Sequence, residues 1–333
     1  MNKATRLFCV LCAAALLTAC APKEQEIPSD ASTAPKPAVS LPEAKAPESL
    51  ATDQEVLLYY RFSDEPYLAA EKRTLTLSPS EAYEMAIVTA LLAGPAGRTG
   101  DLTTLFPEGT RVLAISRQGR TLFVTLSREI MNAYADEGAA LTPATASYES
   151  RLRRTLCMQS LVATVTENCD VDGVQVLVEQ ASSAAESLRL KEKYFLTTAD
   201  ETRLTVPQTR REELLLTPAN TLRVALEKWV LRDWSKLYLY LASTDPATGE
   251  GRKNLADFIT AMENLPCLTG FTFEGGSLSP DGMNITYTIT ATLLAQDGQT
   301  INCEGKVLRL CRESERWTVP LTQLTGWLEG VNV

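Results

Sequence analysis

The chain contains no histidine, and this absence removes several kinds of catalytic site. Nucleophilic systems that pair serine or cysteine with histidine are excluded, as are zinc, iron and copper sites with imidazole ligands. The sequence also has no GxxxxGK[ST] loop, no GxSxG turn and no EF-hand loop. We therefore expect neither a cofactor nor a metal, and any catalysis would rest on carboxylates, tyrosine, lysine or serine.

Aromatic and acidic residues near the C-terminus supply the one enzymatic hypothesis. Asp233 or Asp257 could act as an acid or base on a small molecule or glycan, inside a pocket with aromatic walls. The aromatic candidates are Trp229, Trp234, Tyr238, Tyr240, Tyr287 and Trp317. The alternative is that these side chains fill the core. We prefer the alternative, because an Asp without a histidine partner needs its pKa raised by burial. We predict no catalytic residue.

The cysteines do not form a metal or disulfide signature. Five follow Cys20, and they are Cys157, Cys169, Cys267, Cys303 and Cys311. Their number is odd and none stands in a CxxC spacing. We place Cys157 and Cys169 at the middle and end of one helix, about 18 Å apart and too far to bridge. Most should be small buried apolar residues.

The N-terminus reads as a targeting signal. Lys3 and Arg6 precede an apolar stretch from Leu7 to Leu17, about eleven residues long, whereas a membrane-spanning helix needs about 20. The stretch ends in Leu17-Thr18-Ala19-Cys20, which resembles the lipobox of bacterial lipoprotein precursors. The resemblance implies a signal peptide at residues 1–19 and a lipid on Cys20, so we expect an extracytoplasmic protein anchored to the membrane. An ordinary secretory peptide is the alternative.

Residues 20–52 are expected to be the lipidated cysteine and a Pro-rich linker. Their prolines are Pro22, Pro28, Pro35, Pro37, Pro42 and Pro47. Such a segment cannot bury enough apolar surface to fold, and it could extend for at most about 100 Å. Loss of residues 1–19 removes Lys3 and Arg6 and no acid, so the net charge falls from −9 to −11. An acidic body is not expected to bind nucleic acid.

About 280 residues remain, enough for two domains. The first, at 53–180, shows strand patterns at 55–62 and up to Leu77, and a hairpin around Gln118-Gly119. Helices are expected after Ser78-Pro79 and Thr142-Pro143, with Ser78 in a capping box, and a last strand at 174–178. The order ββ-α-ββ-α-β predicts a small α/β sandwich with helices on one face of a mixed sheet.

The first domain contains a series of short motifs in a particular order and spacing. They are Tyr59-Tyr60, Leu91-Leu92-Ala93-Gly94-Pro95, Phe106-Pro107-Glu108-Gly109-Thr110-Arg111-Val112, Val124-Thr125-Leu126-Ser127-Arg128-Glu129 and Val171–Val178. With these motifs the domain resembles, over about 125 residues, the GerMN domain of sporulation and spore-germination proteins. The resemblance implies a non-enzymatic module similar in fold to ring-building modules. Each motif also has a plain reading as a helix stop or turn, and we expect these residues to shape the fold and touch no ligand.

The second domain, at 185–333, is expected to hold helices followed by an antiparallel meander. Thr217-Pro218 should cap a helix, a second helix should span 252–265, and four strands should follow with turns at 280–282 and 297–298. This layout resembles an NTF2-like cone. The start of the domain, from Phe195 to Pro218, echoes 60–79, so a divergent GerMN repeat is the other reading. The fold class is therefore α+β, with two small domains.

The leading functional hypothesis is a non-catalytic envelope lipoprotein that binds or assembles in sporulation, germination or the cell envelope. Its partners would be the membrane, through Cys20, and a protein or cell-wall component; self-association stays open. The first alternative is the carboxylate enzyme described above. The second is a solute-binding lipoprotein, which the lack of a long alternating βα pattern disfavours.

Overall fold

The computed structural model describes residues 51–97, 101–138, 141–180, 183–326 and 328, which form three β-sheets and the helices that cover them. The predicted signal peptide, Cys20 and nearly all of the linker lie outside these residues. The described residues belong to a single compact unit. None of the described helices is both long and apolar enough to cross a membrane.

The first sheet is a hairpin with a short third strand. β1 (Thr52–Phe62) and β2 (Leu68–Leu77) are antiparallel and pair along their whole length, and β3 (Leu102–Thr103) pairs with the end of β1. Both strands were predicted. β-branched and aromatic residues fill β1, and its second half is buried because it crosses the core.

The first two helices begin later than their prolines predicted. Helix α1 spans Tyr83–Leu92 and α2 spans Tyr148–Asn168. The predicted capping box at Ser78 is wrong, because the Ser78 carbonyl accepts from the Glu81 amide in a separate exposed turn. At Thr142-Pro143 a turn also forms, and Ser147 caps α2 by accepting from the Ser150 amide at 3.0 Å.

The second sheet is mixed, as predicted. Its strand order is β4-β5-β6-β7, with β5 and β6 parallel because α2 connects them, and the short β8 pairs with β6. The strands are β4 (Val112–Gln118), β5 (Thr121–Leu126), β6 (Gly173–Gln180), β7 (Ser183–Arg189) and β8 (Gln208–Thr209). The prediction of one sheet for the whole first domain is wrong, since the β1–β2 hairpin stands in a sheet of its own.

The third sheet is the predicted meander, in the order β12-β11-β10-β9. Its strands are β9 (Cys267–Leu278), β10 (Asn284–Leu294), β11 (Thr300–Glu313) and β12 (Arg316–Thr318). The predicted turns contain Gly282 and Gly298, both with positive φ. The predicted α+β class is confirmed.

Four further helices cover the meander and its approach. They are α3 (Pro218–Val230), α4 (Trp234–Leu237), α5 (Leu255–Glu263) and α6 (Leu321–Gly326). The predicted cap of α3 is confirmed, since the Thr217 hydroxyl accepts from the Asn220 amide at 3.3 Å. Helix α5 is shorter than predicted. The proposed echo of the first hairpin is absent, because residues 192–195 and 212–214 form 3₁₀ helices rather than strands.

Two hydrophobic clusters hold these layers together, and each takes residues from both halves of the chain. The first lies between the β1–β2 hairpin, α1, α2 and the mixed sheet, and it includes Leu190, Tyr194 and Leu215. The second lies between the later helices and the meander, and it includes Phe62 and Ala69 from the first hairpin. The hairpin therefore contributes to both cores.

A buried ion pair also joins the two halves. Glu65, in the β1–β2 turn, is 2% exposed. Its carboxylate accepts from the ammonium groups of Lys228 at 2.9 Å and Lys236 at 3.0 Å, and from the Tyr240 hydroxyl at 3.4 Å. Burial acts to raise the pKa of Glu65, but the two lysines outweigh it and the pKa is lowered.

Candidate functional site

A cleft with a volume of about 620 Å³ lies beside the start of the mixed sheet. It is lined by the loops at 103–109 and 132–135 and by Arg61, Asp64 and Arg153. A cleft of this size, with polar groups around it, is an ordinary place for a protein to make a specific contact.

The loop at 103–109 is held by its own side chains. Leu105 and Phe106 are buried and anchor it to the first core. The Thr110 hydroxyl donates to the Pro107 carbonyl at 2.6 Å, and Gly109 has a φ of +81° that favours glycine. The loop is therefore a rigid wall rather than a flexible lid.

Four side chains of alternating charge form a row that reaches the cleft through Arg61 and Arg153. Buried Arg61 binds Glu149 with both terminal nitrogens, and Glu149 lies 3.7 Å from Arg153. Arg153 in turn binds Asp136 through two hydrogen bonds of 2.5 and 2.8 Å. The Arg153 guanidinium holds the pKa of Asp136 at about 2. Each of these charges is matched by a neighbour, so the row is a preformed polar surface.

Tyr134 fixes the second wall of the cleft. Its ring faces the guanidinium groups of Arg153, at 4.7 Å, and Arg154, at 5.3 Å. Its hydroxyl donates to the Leu105 carbonyl at 2.7 Å, which joins the two loops, and burial raises its pKa. Arg154 binds the buried Glu137 through hydrogen bonds of 2.6 and 2.7 Å.

This arrangement favours recognition over chemistry. The carboxylates of Glu149, Asp136 and Glu137 are each bound by an arginine. Asp64 and Glu108, which line the cleft, are exposed. Within the described ranges no group of three or more His, Cys, Asp or Glu residues could hold a metal ion.

Comparison with known proteins finds a family model that matches part of the chain. Residues 57–183 match the Germane family, described as "Sporulation and spore germination". The chain carries a GerMN domain. This confirms the resemblance drawn from the motifs, and the matched residues contain the cleft loops and all of α2. No curated protein matches the chain.

Solved structures are also similar to the chain. The tandem GerMN domains of the sporulation protein GerM from Bacillus subtilis match with 20% identity and a TM-score of 0.33, over 52% of this chain and 51% of that one. A putative lipoprotein from Clostridium perfringens matches with 18% identity and a TM-score of 0.26, over 49% of this chain and 90% of that one. The match thus spans about half the length of the tandem structure.

The motifs of the GerMN domain have structural roles, as expected. The loop after α1 is tied to the first sheet, because the Tyr60 hydroxyl and Arg73 both donate to the Gly94 carbonyl, at 3.0 and 2.9 Å. Glu71 accepts from the amides of Ala96 and Gly97. This network explains the Gly94-Pro95 motif without a ligand.

The turn before the last strand of the GerMN domain is similarly fixed. Asp172 accepts from Arg120 at 2.5 and 2.7 Å, and its amide donates to the Arg120 carbonyl at 2.8 Å. Gly173 leaves room for a neighbouring backbone, since a Cβ there would lie 2.9 Å from the Gln208 carbonyl oxygen.

The aromatic and acidic residues of the enzymatic hypothesis have structural roles in different parts of the second domain. Trp229, Trp234, Tyr240 and Tyr287 are buried in the second core, while Tyr238 and Trp317 are half-buried against it. Asp233 accepts from the Lys236 amide and caps α4. Asp257 accepts from the Asn254 side chain in the first turn of α5. The core interpretation of these aromatics is the one that the structure supports.

The described cysteines are all free, as expected. Cys157 lies in the middle of α2 and Cys169 at its C-cap, as predicted. Burial raises the pKa of the Cys157 thiol to about 12, which keeps it protonated and unreactive at neutral pH.

Sequence reasoning missed the contact between α2 and β1. Ser160, Thr164 and Asn168 stand four residues apart on one helix face and bind the backbone of β1: the Thr164 hydroxyl accepts from the Tyr59 amide at 3.0 Å. A signal for this existed, since Ser160, Thr164 and Asn168 stand at a spacing of four, on one face of a helix whose second half also carries many apolar residues.

Proposed function

We propose that this protein is an extracytoplasmic lipoprotein that acts by binding or assembly, without catalysis, in sporulation, spore germination or the cell envelope. The observation that carries the proposal is the match of residues 57–183 to a family described by sporulation and spore germination. The cleft described above lies in this matched region and would be its contact surface.

The chemistry of the cleft supports contact rather than turnover. Its row of charges from Arg61 to Asp136 is internally paired, so no carboxylate in the row is left poised as a base. The exposed carboxylates Asp64 and Glu108 offer acceptors for a partner with hydrogen-bond donors or positive charge.

The sequence before the described residues supports an anchor. Leu17-Thr18-Ala19-Cys20 matches the pattern of lipoprotein processing, and the proline-rich residues that follow would hold the GerMN domain away from the membrane.

The anchor is tested by mass analysis of the native N-terminus. We expect a diacylglyceryl group on Cys20 and no residue before it. Cys20→Ala should abolish lipidation, whereas Cys12→Ala, in the signal peptide, should leave it unchanged. A mature chain with an unmodified first residue would contradict the anchor.

The role is tested by deletion in the native host, scored for spore yield, germination and envelope integrity. We expect a defect that the wild-type gene restores and Glu108→Arg in the cleft does not. Glu81→Arg, an equivalent charge reversal in an exposed turn outside the cleft, should restore it. A deletion without effect on any of the three would contradict the role, and release of products from wall fragments by the purified protein would contradict its non-catalytic nature.

A further inference from the structure

The two edges of the meander are treated differently by the fold. Beside β12, the edge is covered by residues 240–242: the Ala242 amide donates to the Val319 carbonyl at 3.0 Å, and the Val319 amide donates to the Tyr240 carbonyl at 2.9 Å. The opposite edge is β9. Across the described residues, no other segment forms backbone hydrogen bonds with its outer side.

β9 also lacks the usual protection of a free edge. Edge strands are commonly guarded by charged residues, especially lysine. In its twelve residues β9 has one charge, Glu274, whereas β2, which ends the first sheet, carries Glu71, Lys72 and Arg73 in succession. A free edge of this length with a single charge is a ready template for another strand.

The centre of β9 is regular. Its pairing with β10 shifts at Thr269 and at Gly276, where β9 has one extra residue at each point. Between these bulges, residues 270–275 run opposite β10 without interruption. The regular stretch available to a partner is therefore short, and it limits where an added strand can pair.

We propose that β9 pairs antiparallel with β9 of a second copy of this chain, about a twofold axis at Thr272. This register places Phe271 opposite Phe273 of the second copy and Glu274 opposite Gly270. An axis at Glu274 would instead set two like charges against each other, which is unfavourable. The result is one continuous eight-stranded antiparallel sheet, and its pairing is isologous.

Exposed apolar side chains on the helix-covered face support the same axis. Phe271 and Phe273 are only half-buried at the sheet edge, and a second β9 would cover them. Leu278, at one end of β9, is 56% exposed. At the other end Arg232 contacts Cys267 at 3.1 Å, and Leu231, next to Arg232 in the chain, is 72% exposed. The twofold axis would bring Leu278 of each copy towards the Cys267 end of β9 in the other copy.

A cysteine scan on the full lipidated chain in detergent tests the register. At the axis, Thr272 of the two copies would have Cα atoms about 4.5–5.5 Å apart, within disulfide range. Thr272→Cys should form a covalent dimer under mild oxidation. Glu274→Cys is the matched control, because its two copies would lie about 14 Å apart along the strands and could not bridge. No dimer from Thr272→Cys, equal dimer from both variants, or a crosslink to a different protein would overturn the proposal.

A charge substitution tests the interface without a crosslink. Thr272→Lys places two ammonium groups against each other at the axis, and light scattering should show monomer where the wild-type chain is dimeric. Thr290→Lys is the control, because Thr290 pairs with Thr272 from the central strand β10 and is likewise exposed. A monomeric wild-type chain, or equal dissociation by both variants, would refute the pairing.

Discussion

Gly173 shows how one missing side chain permits a contact between two parts of the chain. It stands where β6 begins and where β8 crosses closely enough for the Gln208 carbonyl oxygen to fill the place of a Cβ. The neighbour is backbone and cannot rotate away. Gly173 is therefore required by packing between strands and not by a positive φ.

Gly173→Ala is expected to lower the free energy of unfolding by about 1–3 kcal/mol, the usual cost of overpacking. Urea denaturation measures it. Gly251→Ala, where a Cβ would meet nothing within 4 Å, should change stability far less. Equal midpoints for the two variants would show that β8 moves aside freely.

Glu65 is the second residue whose environment decides its role. Its lowered pKa means that the native carboxylate releases its proton more readily than the unfolded one. Its contribution to stability is thus complete above the ordinary pKa of 4.5 and is lost as pH falls below it towards the native pKa.

Glu65→Gln is expected to destabilise the protein by about 3–5 kcal/mol at pH 7, because Lys228 would remain buried without its counter-charge. The variant should also lose part of the acid dependence of unfolding, which denaturation from pH 7 to pH 3 will show. Glu55→Gln removes an exposed pair with Lys72 and should cost about 0–1 kcal/mol. A Glu65→Gln variant as stable as Glu55→Gln would show that the ion pairs of Glu65 with Lys228 and Lys236 do not stabilise the fold.

At the scale of elements, α2 replaces a missing strand. One edge of β1 pairs with β2, and most of the other would be open beyond β3. Ser160, Thr164 and Asn168 of α2 supply the acceptors and donors that a neighbouring strand would have given. This satisfies buried backbone groups and keeps the hairpin out of the mixed sheet.

Thr164→Val preserves shape but leaves the buried Tyr59 amide without its acceptor, so we expect a loss of about 1–3 kcal/mol. Hydrogen exchange at the Tyr59 amide should quicken more than exchange within β6. Thr166→Val is the control, since the Thr166 hydroxyl donates within α2, to the Val162 carbonyl. Unchanged exchange at Tyr59 would mean that water replaces the hydroxyl.

At the scale of the whole molecule, the residues that match the family do not include all the residues of the first hydrophobic core. The family match ends at residue 183, yet the first core draws on Leu190, Tyr194 and Leu215. The second core in turn needs Phe62 from the first hairpin. The two cores should therefore depend on each other for stability.

A fragment of residues 51–183 is expected to unfold without cooperativity or at a much lower denaturant concentration than residues 51–333. It lacks apolar side chains that close the first core, and each large one contributes about 1.5–3 kcal/mol. Urea unfolding followed by circular dichroism compares the two. A fragment with the same midpoint as the longer chain would show that the GerMN domain is self-sufficient.

The sequence by itself determined much of the element order. Alternating apolar patterns located the meander strands, Thr217-Pro218 located the start of α3, and the GerMN motifs identified the first domain, because these signals act between residues close in the chain. Absent histidine likewise excluded whole classes of catalytic site. The same local reasoning placed the starts of α1 and α2 too early, since a proline permits a helix to begin but does not require it.

Only the tertiary structure decided how the elements meet. The row of charges from Arg61 to Asp136 joins residues far apart in sequence. The same is true of the ion pair between Glu65 and Lys228 and of the hydrogen bonds between α2 and β1. Each depends on which surfaces are buried together, and burial sets both the cost of an unpaired polar group and the strength of a paired one. Those energies arise from the packed fold and have no counterpart in the local pattern of the chain.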